Sequence, residues 1–180
     1  MGKSWKKLGV SGLAIAAAVS ASLFSVPAEA EVISSYDTWY EFGFGDTGSA
    51  WDTSFSFTLA SPTTLQLKVT DGYEAGDRFS VAYDSNPLGD TSVPTGTLGD
   101  DVGANYDTAF ADARWSSGSW TLALGAGTHT ITGKSLVSAL KAGGSGAVEL
   151  TVVPEPGATA LFASLGVLGF AAIRKYRRSR

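Results

Sequence analysis

Cysteine is missing altogether from the 180 residues. Disulfides, thiol nucleophiles and cysteine-based zinc sites are thereby excluded. Histidine occurs once, as His129. A serine triad would need that one imidazole and a serine on a strained elbow, and no Gly-x-Ser-x-Gly occurs. A glycine-rich phosphate loop leading into a helix is also lacking. Cations are scarce in the body of the chain. Residues 31–153 hold five, Lys68, Arg78, Arg114, Lys134 and Lys141, against fifteen acids. The body therefore carries −10, while the whole chain carries only −4. Nucleic acid binding needs a basic footprint, so no nucleic acid partner is expected. An acidic body suits an exported domain, and it leaves Ca²⁺ and neutral sugars open as ligands.

The cations are instead concentrated at the two ends. Lys3, Lys6 and Lys7 precede an apolar, alanine-rich run over residues 8–19. Ala28-Glu29-Ala30 has the small-x-small form of a signal-peptidase site. Residues 1–30 read as a signal peptide, with the mature chain starting at Glu31. At the other end stands Pro154-Glu155-Pro156, then seventeen uncharged residues, 157–173. At about 1.5 Å rise per residue, a helix of that length is at the short limit for a bilayer core. Arg174, Lys175, Arg177, Arg178 and Arg180 follow it. Such a cluster stays on the cytoplasmic side and sets the direction of the apolar run.

This order of rigid acidic tripeptide, apolar helix and basic terminus resembles the PEP-CTERM sorting signal of Gram-negative bacteria. The resemblance covers residues 154–180 alone. It implies that exosortase, a membrane-embedded cysteine enzyme, reads Pro154, Glu155 and Pro156 and processes the chain there. It also implies export through the inner membrane, then a tethered precursor held by 157–173, transiently or permanently. The final place would be the cell envelope or the extracellular space, in association with exopolysaccharide and biofilm.

Between the ends lies one domain, 31–153, long enough to bury a core. Its clearest pattern is Thr64-Leu65-Gln66-Leu67-Lys68-Val69-Thr70, with leucines and valine on one face. Such alternation marks a half-buried strand of an antiparallel sheet. Similar patterns run through Phe55, Phe57 and Leu59, through Phe79, Val81 and Tyr83, and through Val148, Leu150 and Val152. Gly125-Ala126-Gly127 reads as a hairpin turn. Residues 135–141 read as one or two helical turns, and 94–111 as a long loop or a short helix near 105–113. About seven or eight short strands with glycine-rich turns predict an all-β antiparallel sandwich or jelly roll.

Residues 75–92 also resemble a Gly-Asp-x-Phe-x-Val-x-Asp-x-Gly pattern of PEP-CTERM protein bodies, matched in part by Gly76, Asp77, Phe79 and Val81, with Asp84-Ser85-Asn86-Pro87 standing where a glycine-containing turn is usual. The pattern marks a strand–turn–strand unit. Asp84, Asn86 and Asp90 carry oxygen donors of the kind Ca²⁺ takes, without the spacing of an EF-hand. Asp71, Glu74 and Asp77 make a second acidic loop, and Asp100-Asp101 a third. Solvated loop carboxylates are the alternative for all three, and the sequence calls for no cofactor. Five tryptophans are present, four of them in the body at Trp39, Trp51, Trp115 and Trp120. Most read as core; Trp51 and Trp115, set in polar, turn-rich surroundings, are expected to be exposed and able to stack on sugar rings. Three functions follow: a non-enzymatic envelope or matrix protein, a carbohydrate-binding module, or a two-carboxylate glycoside hydrolase. The first is the principal reading.

Overall fold

The computed structural model describes residues 29–154. The signal segment up to Ala28, the Glu155 and Pro156 positions, segment 157–173 and the basic cluster lie outside the described residues. Among the described residues no helix is long and apolar enough to cross a membrane. The chain forms β1 (Glu29–Val32), β2 (Trp39–Phe44), β3 (Thr53–Leu59), β4 (Thr63–Asp71), β5 (Arg78–Tyr83) and β6 (Asn86–Asp90). Helix α1 (Tyr106–Ala111), then β7 (Ser117–Leu124), β8 (Gly127–Val137) and β9 (Gly144–Val152) complete it.

The strands form two sheets, ordered β1-β3-β8-β5-β6 and β2-β9-β4-β7. Each neighbouring pair is antiparallel except β1 with β3, which is parallel. The all-β expectation is met, and the alternation explains why. Leu65, Leu67 and Val69 of β4 are fully buried, while Gln66 and Lys68 between them are only half-buried. Phe55 and Phe57, Phe79 and Val81, and Ile131 supply the first sheet's inner rows. They share one core with Phe42, Phe44, Val148 and Leu150 of the second. Each such side chain contributes on the order of 1.5–3 kcal/mol through burial.

The segment read as a hairpin turn does something else. β7 belongs to the second sheet and β8 to the first, so residues 125–126 carry the chain from one sheet to the other. Gly127, at φ 138°, opens the new strand in a conformation that favours glycine. Alternation identifies a strand but not its partner, which is why the two looked paired. In place of the helical turns expected over 135–141, residues 135–137 end β8, where Ser135 pairs with Phe79 and Val137 with Arg78, and 138–141 follow as an irregular bend. The strand–turn–strand unit over 78–90 is present. Asp84 and Ser85, at φ 44° and 64°, make a two-residue turn, and Tyr83 pairs directly with Asn86.

Two features bear on the ends of the domain. Ala30 and Glu31, at the expected signal cleavage point, lie within β1 opposite Ser54 and Phe55. A cut after Ala30 leaves Glu31 and Val32 of that strand in place. At the other end β9 sits between β2 and β4, and Val153 donates its backbone N–H to the Thr64 carbonyl at 3.0 Å.

Helix α1 forms where a short helix was expected. Asn105 caps it, accepting the Thr108 N–H at 3.2 Å. It packs on β4 and β7, with Lys68 Nζ 5.6 Å from the Phe110 ring centre.

Candidate functional site

The two tryptophans expected at the surface are inside. Trp51 is 2% exposed and stacks on Phe42 at 3.8 Å between ring centres, tilted by 18°. A bridge to Phe44 turns it inward, against a partner that no local signal announces. Gly133 lies beneath it; a Cβ there would stand 2.3 Å from the indole. Trp115 is 1% exposed, donates Nε1–H to the Tyr73 carbonyl at 3.0 Å, and carries the Arg114 guanidinium above its ring at 4.7 Å. Neither face is open to a sugar. Trp39 and Trp120 are half-buried.

The calcium candidates have protein partners. Asp84 accepts the Thr130 N–H at 2.7 Å and meets His129 Nδ1 at 2.9 Å. Burial pushes its carboxyl up, but the hydrogen bonds from His129, Thr130 and Tyr83 outweigh it, so Asp84 lies below its ordinary value. Asn86 donates to the Asp84 carbonyl at 3.1 Å, and Asp90 pairs with Arg78 at 3.4 Å. Among the described residues no three His, Cys, Asp or Glu side chains are placed to hold a metal ion. His129 also meets the Tyr83 hydroxyl and the Gly125 carbonyl, so both ring nitrogens are engaged within the domain. The Asp84 hydrogen bond holds its imidazole above the ordinary value, against the opposing effect of burial.

The second acidic loop builds a cavity. β4 ends at Asp71, whose buried carboxylate gathers the loop that follows. Its Oδ1 accepts the Gly72 N–H at 2.8 Å, and its Oδ2 accepts those of Gly76 at 3.2 Å and Asp77 at 3.1 Å. The loop thus folds back on the end of its own strand. Burial and the Asp77 charge push the Asp71 carboxyl up to about 8, against the downward pull of the three N–H donors. Tyr73 adopts φ 54°, uncommon for an aromatic residue. Its backbone is pinned by the Gly103 carbonyl at 2.9 Å and by the N–H groups of Val102 and Trp115 on its own carbonyl. Tyr73 as a residue remains 40% exposed.

The resulting hollow has a volume of about 210 Å³ and is lined by Glu41, Tyr73, Glu74, Asp77, Leu140 and Ser145, among others. Glu41 arrives from β2 and accepts the Tyr106 hydroxyl at 2.7 Å. Glu74 accepts the Gly99 N–H at 2.6 Å, and Asp77 accepts the Ala139 N–H at 2.7 Å. Burial raises Asp77 above the ordinary carboxylate value, with the Ala139 N–H opposing it. Glycine is required at two points of the wall. A Cβ on Gly72 would stand 2.5 Å from the Tyr106 ring, and one on Gly144 2.7 Å from Asp77 Oδ2. Sequence reasoning noticed Asp71, Glu74 and Asp77 as a loop and missed Glu41, which joins them only through sheet pairing. Glu41 is opposite Ala147, next to Gly146, which pairs with Asp71.

No protein-family model matches the chain, and no curated protein matches it. Among solved structures it is similar to the pre-peptidase C-terminal domain of a collagenase from Bacillus anthracis. Identity there is 12%, covering 69% of this chain and 97% of that one, with a TM-score of 0.41. It is also similar to the C-terminal CBM6 of LamC, a marine laminarinase from Zobellia galactanivorans. Identity is 19%, covering 65% of this chain and 93% of that one, with a TM-score of 0.36. Likeness at this level brings no function across.

Proposed function

We propose that the chain is an exported envelope or extracellular-matrix protein. It is delivered as a membrane-tethered precursor and sorted by exosortase through Pro154, Glu155 and Pro156. The observation that carries this reading is the junction between domain and motif. β9 pairs on both sides within its sheet and runs to Val152, and Val153 is still hydrogen-bonded to Thr64. The folded body therefore reaches the residue before Pro154, so the motif begins in sequence directly where the domain ends. The basic residues that match membrane topology lie in the end segments, which processing would remove. What stays behind is the acidic sandwich. The test is Glu155→Ala in the native host. Retention of the full-length chain in the membrane fraction supports sorting through the motif; release equal to that of the unaltered protein contradicts it.

A second reading concerns the body alone, in which the sandwich binds carbohydrate without acting on it. It is favoured by the hollow at the end of β4, where carboxylates and Ser145 offer hydrogen-bond partners for hydroxyls beside the half-open Tyr73 ring. A histidine-dependent hydrolase is disfavoured because the sole imidazole is held by Tyr83, Asp84 and Gly125.

A further inference from the structure

Two open sheets leave four edge strands, here β1, β6, β2 and β7. A bare edge offers a row of N–H and C=O groups to any other strand. Three of these edges are guarded. β1 is four residues long and carries Glu29 and Glu31. β6 carries Pro87 and Asp90, and its pairing with β5 shifts register between Val81 and Ala82. The edge of β2 is taken by its own chain: Asp52 donates its N–H to the Gly43 carbonyl at 2.9 Å, and Gly43 donates to Asp52 Oδ1 at 2.7 Å. β7 has none of these devices. Its eight residues hold no charge and no proline, and its register with β4 runs without a shift.

The direction of its backbone groups follows from that register. β4 and β7 are antiparallel, and the Asp71 N–H meets the Ser116 carbonyl at 2.9 Å. Alternate residues of an antiparallel pair exchange bonds. Gly118, Trp120, Leu122 and Leu124, in step with Ser116, therefore bond to β4. Ser117, Ser119, Thr121 and Ala123 turn their N–H and C=O outward. Ser92 fixes the same phase: it donates to the Ser117 carbonyl at 2.8 Å, and its Oγ accepts the Ser117 N–H at 3.0 Å. Past Ser117, no described residue bonds to the outward groups of Ser119, Thr121 or Ala123, and all three residues are exposed.

We propose that β7 pairs with β7 of a second copy of this chain, antiparallel and centred on Thr121, so that two four-stranded sheets become one. In this register every outward group past Ser117 finds a partner. Thr121 exchanges both bonds with its own counterpart, and Ser119 exchanges both with Ala123. That self-match favours a second copy over a foreign strand. On the inner side the register sets Trp120 against Leu122 of the second copy, an aromatic–aliphatic pair across strands. Trp120 is half-buried and already packs on the core, so pairing extends that core. Charge points the same way. Residues 31–153 carry −10, so two copies repel, and an uncharged edge is where they can approach.

The test is sedimentation velocity of the full chain in non-ionic micelles, at protein concentrations up to roughly 0.1 mM. The unaltered chain should sediment as a dimer. Thr121→Lys sets two ammonium groups at neighbouring positions and should weaken association by about tenfold or more. Its far-UV circular dichroism should be unaltered, because Thr121 is exposed. Thr132→Lys, an exposed position on β8, should leave the dimer intact. Thr121→Cys should form an interchain disulfide on mild oxidation, since Cα atoms of such a pair stand about 5.5 Å apart and the chain has no other thiol. Thr132→Cys should not. A monomer at every concentration would overturn self-association. A dimer that responds alike to both lysines, or cross-links alike through both cysteines, would overturn pairing through β7 and place the contact elsewhere.

Discussion

The buried carboxylate of Asp71 accepts the backbone N–H of Asp77 at 3.1 Å, so one acid sets the position of the other. Their proximity also couples their charges, for the Asp77 carboxylate helps to raise Asp71. The turn that shapes the hollow is therefore tied to a proton.

Stability should fall as pH rises towards 8. Asp71 has an ordinary value of 3.8 and a folded value of about 8. Below 3.8 both states hold the proton, and its contribution to stability is fully present. Between the two values only the folded state holds it, so stability declines by about 1.4 kcal/mol per pH unit and levels off above the folded value. Urea midpoints measured from pH 5 to pH 8 should show this decline, and Asp71→Asn should make it shallower, leaving the share that comes from the raised Asp77 and His129. An identical slope in the variant would contradict the assignment. The slope is the readout, because the substitution also disturbs the turn.

His129 should titrate above 6.5, since Asp84 accepts from its imidazolium. It is the only histidine, so a single NMR titration curve belongs to it. Asp84→Asn should shift that curve to lower pH while keeping the turn, because Asn tolerates the φ of 44° that Asp84 adopts. The stabilisation from this pair should be present at acid pH and disappear as pH rises through the folded value of His129. An unmoved curve in the variant would remove Asp84 as the cause.

Gly133→Ala should destabilise the domain by about 1–3 kcal/mol, the range for an overpacked core. The new methyl would stand 2.3 Å from the Trp51 indole, which is itself stacked on Phe42. Gly125→Ala, with nothing within 4 Å of the added Cβ, should stay within about 0.5 kcal/mol. Equal effects in urea unfolding would mean that Trp51 is not where the core places it.

Strand identity was legible wherever alternation was clean, as in Leu65-Gln66-Leu67-Lys68-Val69. Those residues bury one face and leave the other half-open. Pairing was not legible, because the period of a strand contains no address. Residues 125–126 could equally join two strands of one sheet or two sheets of a sandwich. Burial of Trp51 and Trp115 was hidden for a similar reason. Both sit among polar neighbours, and their partners, Phe42 and Gly133 for one and Tyr73 for the other, are distant in sequence. The hollow was half legible: Asp71, Glu74 and Asp77 share a loop, whereas Glu41 lies on β2, thirty residues earlier.

Sorting through Pro154, Glu155 and Pro156 is decided by the intact mass of the protein recovered from its host, with and without exosortase. With exosortase present, the chain should start at Glu31 and end within residues 154–156; without it, the chain should keep Arg180. A chain ending at Arg180 in both would contradict sorting by this route.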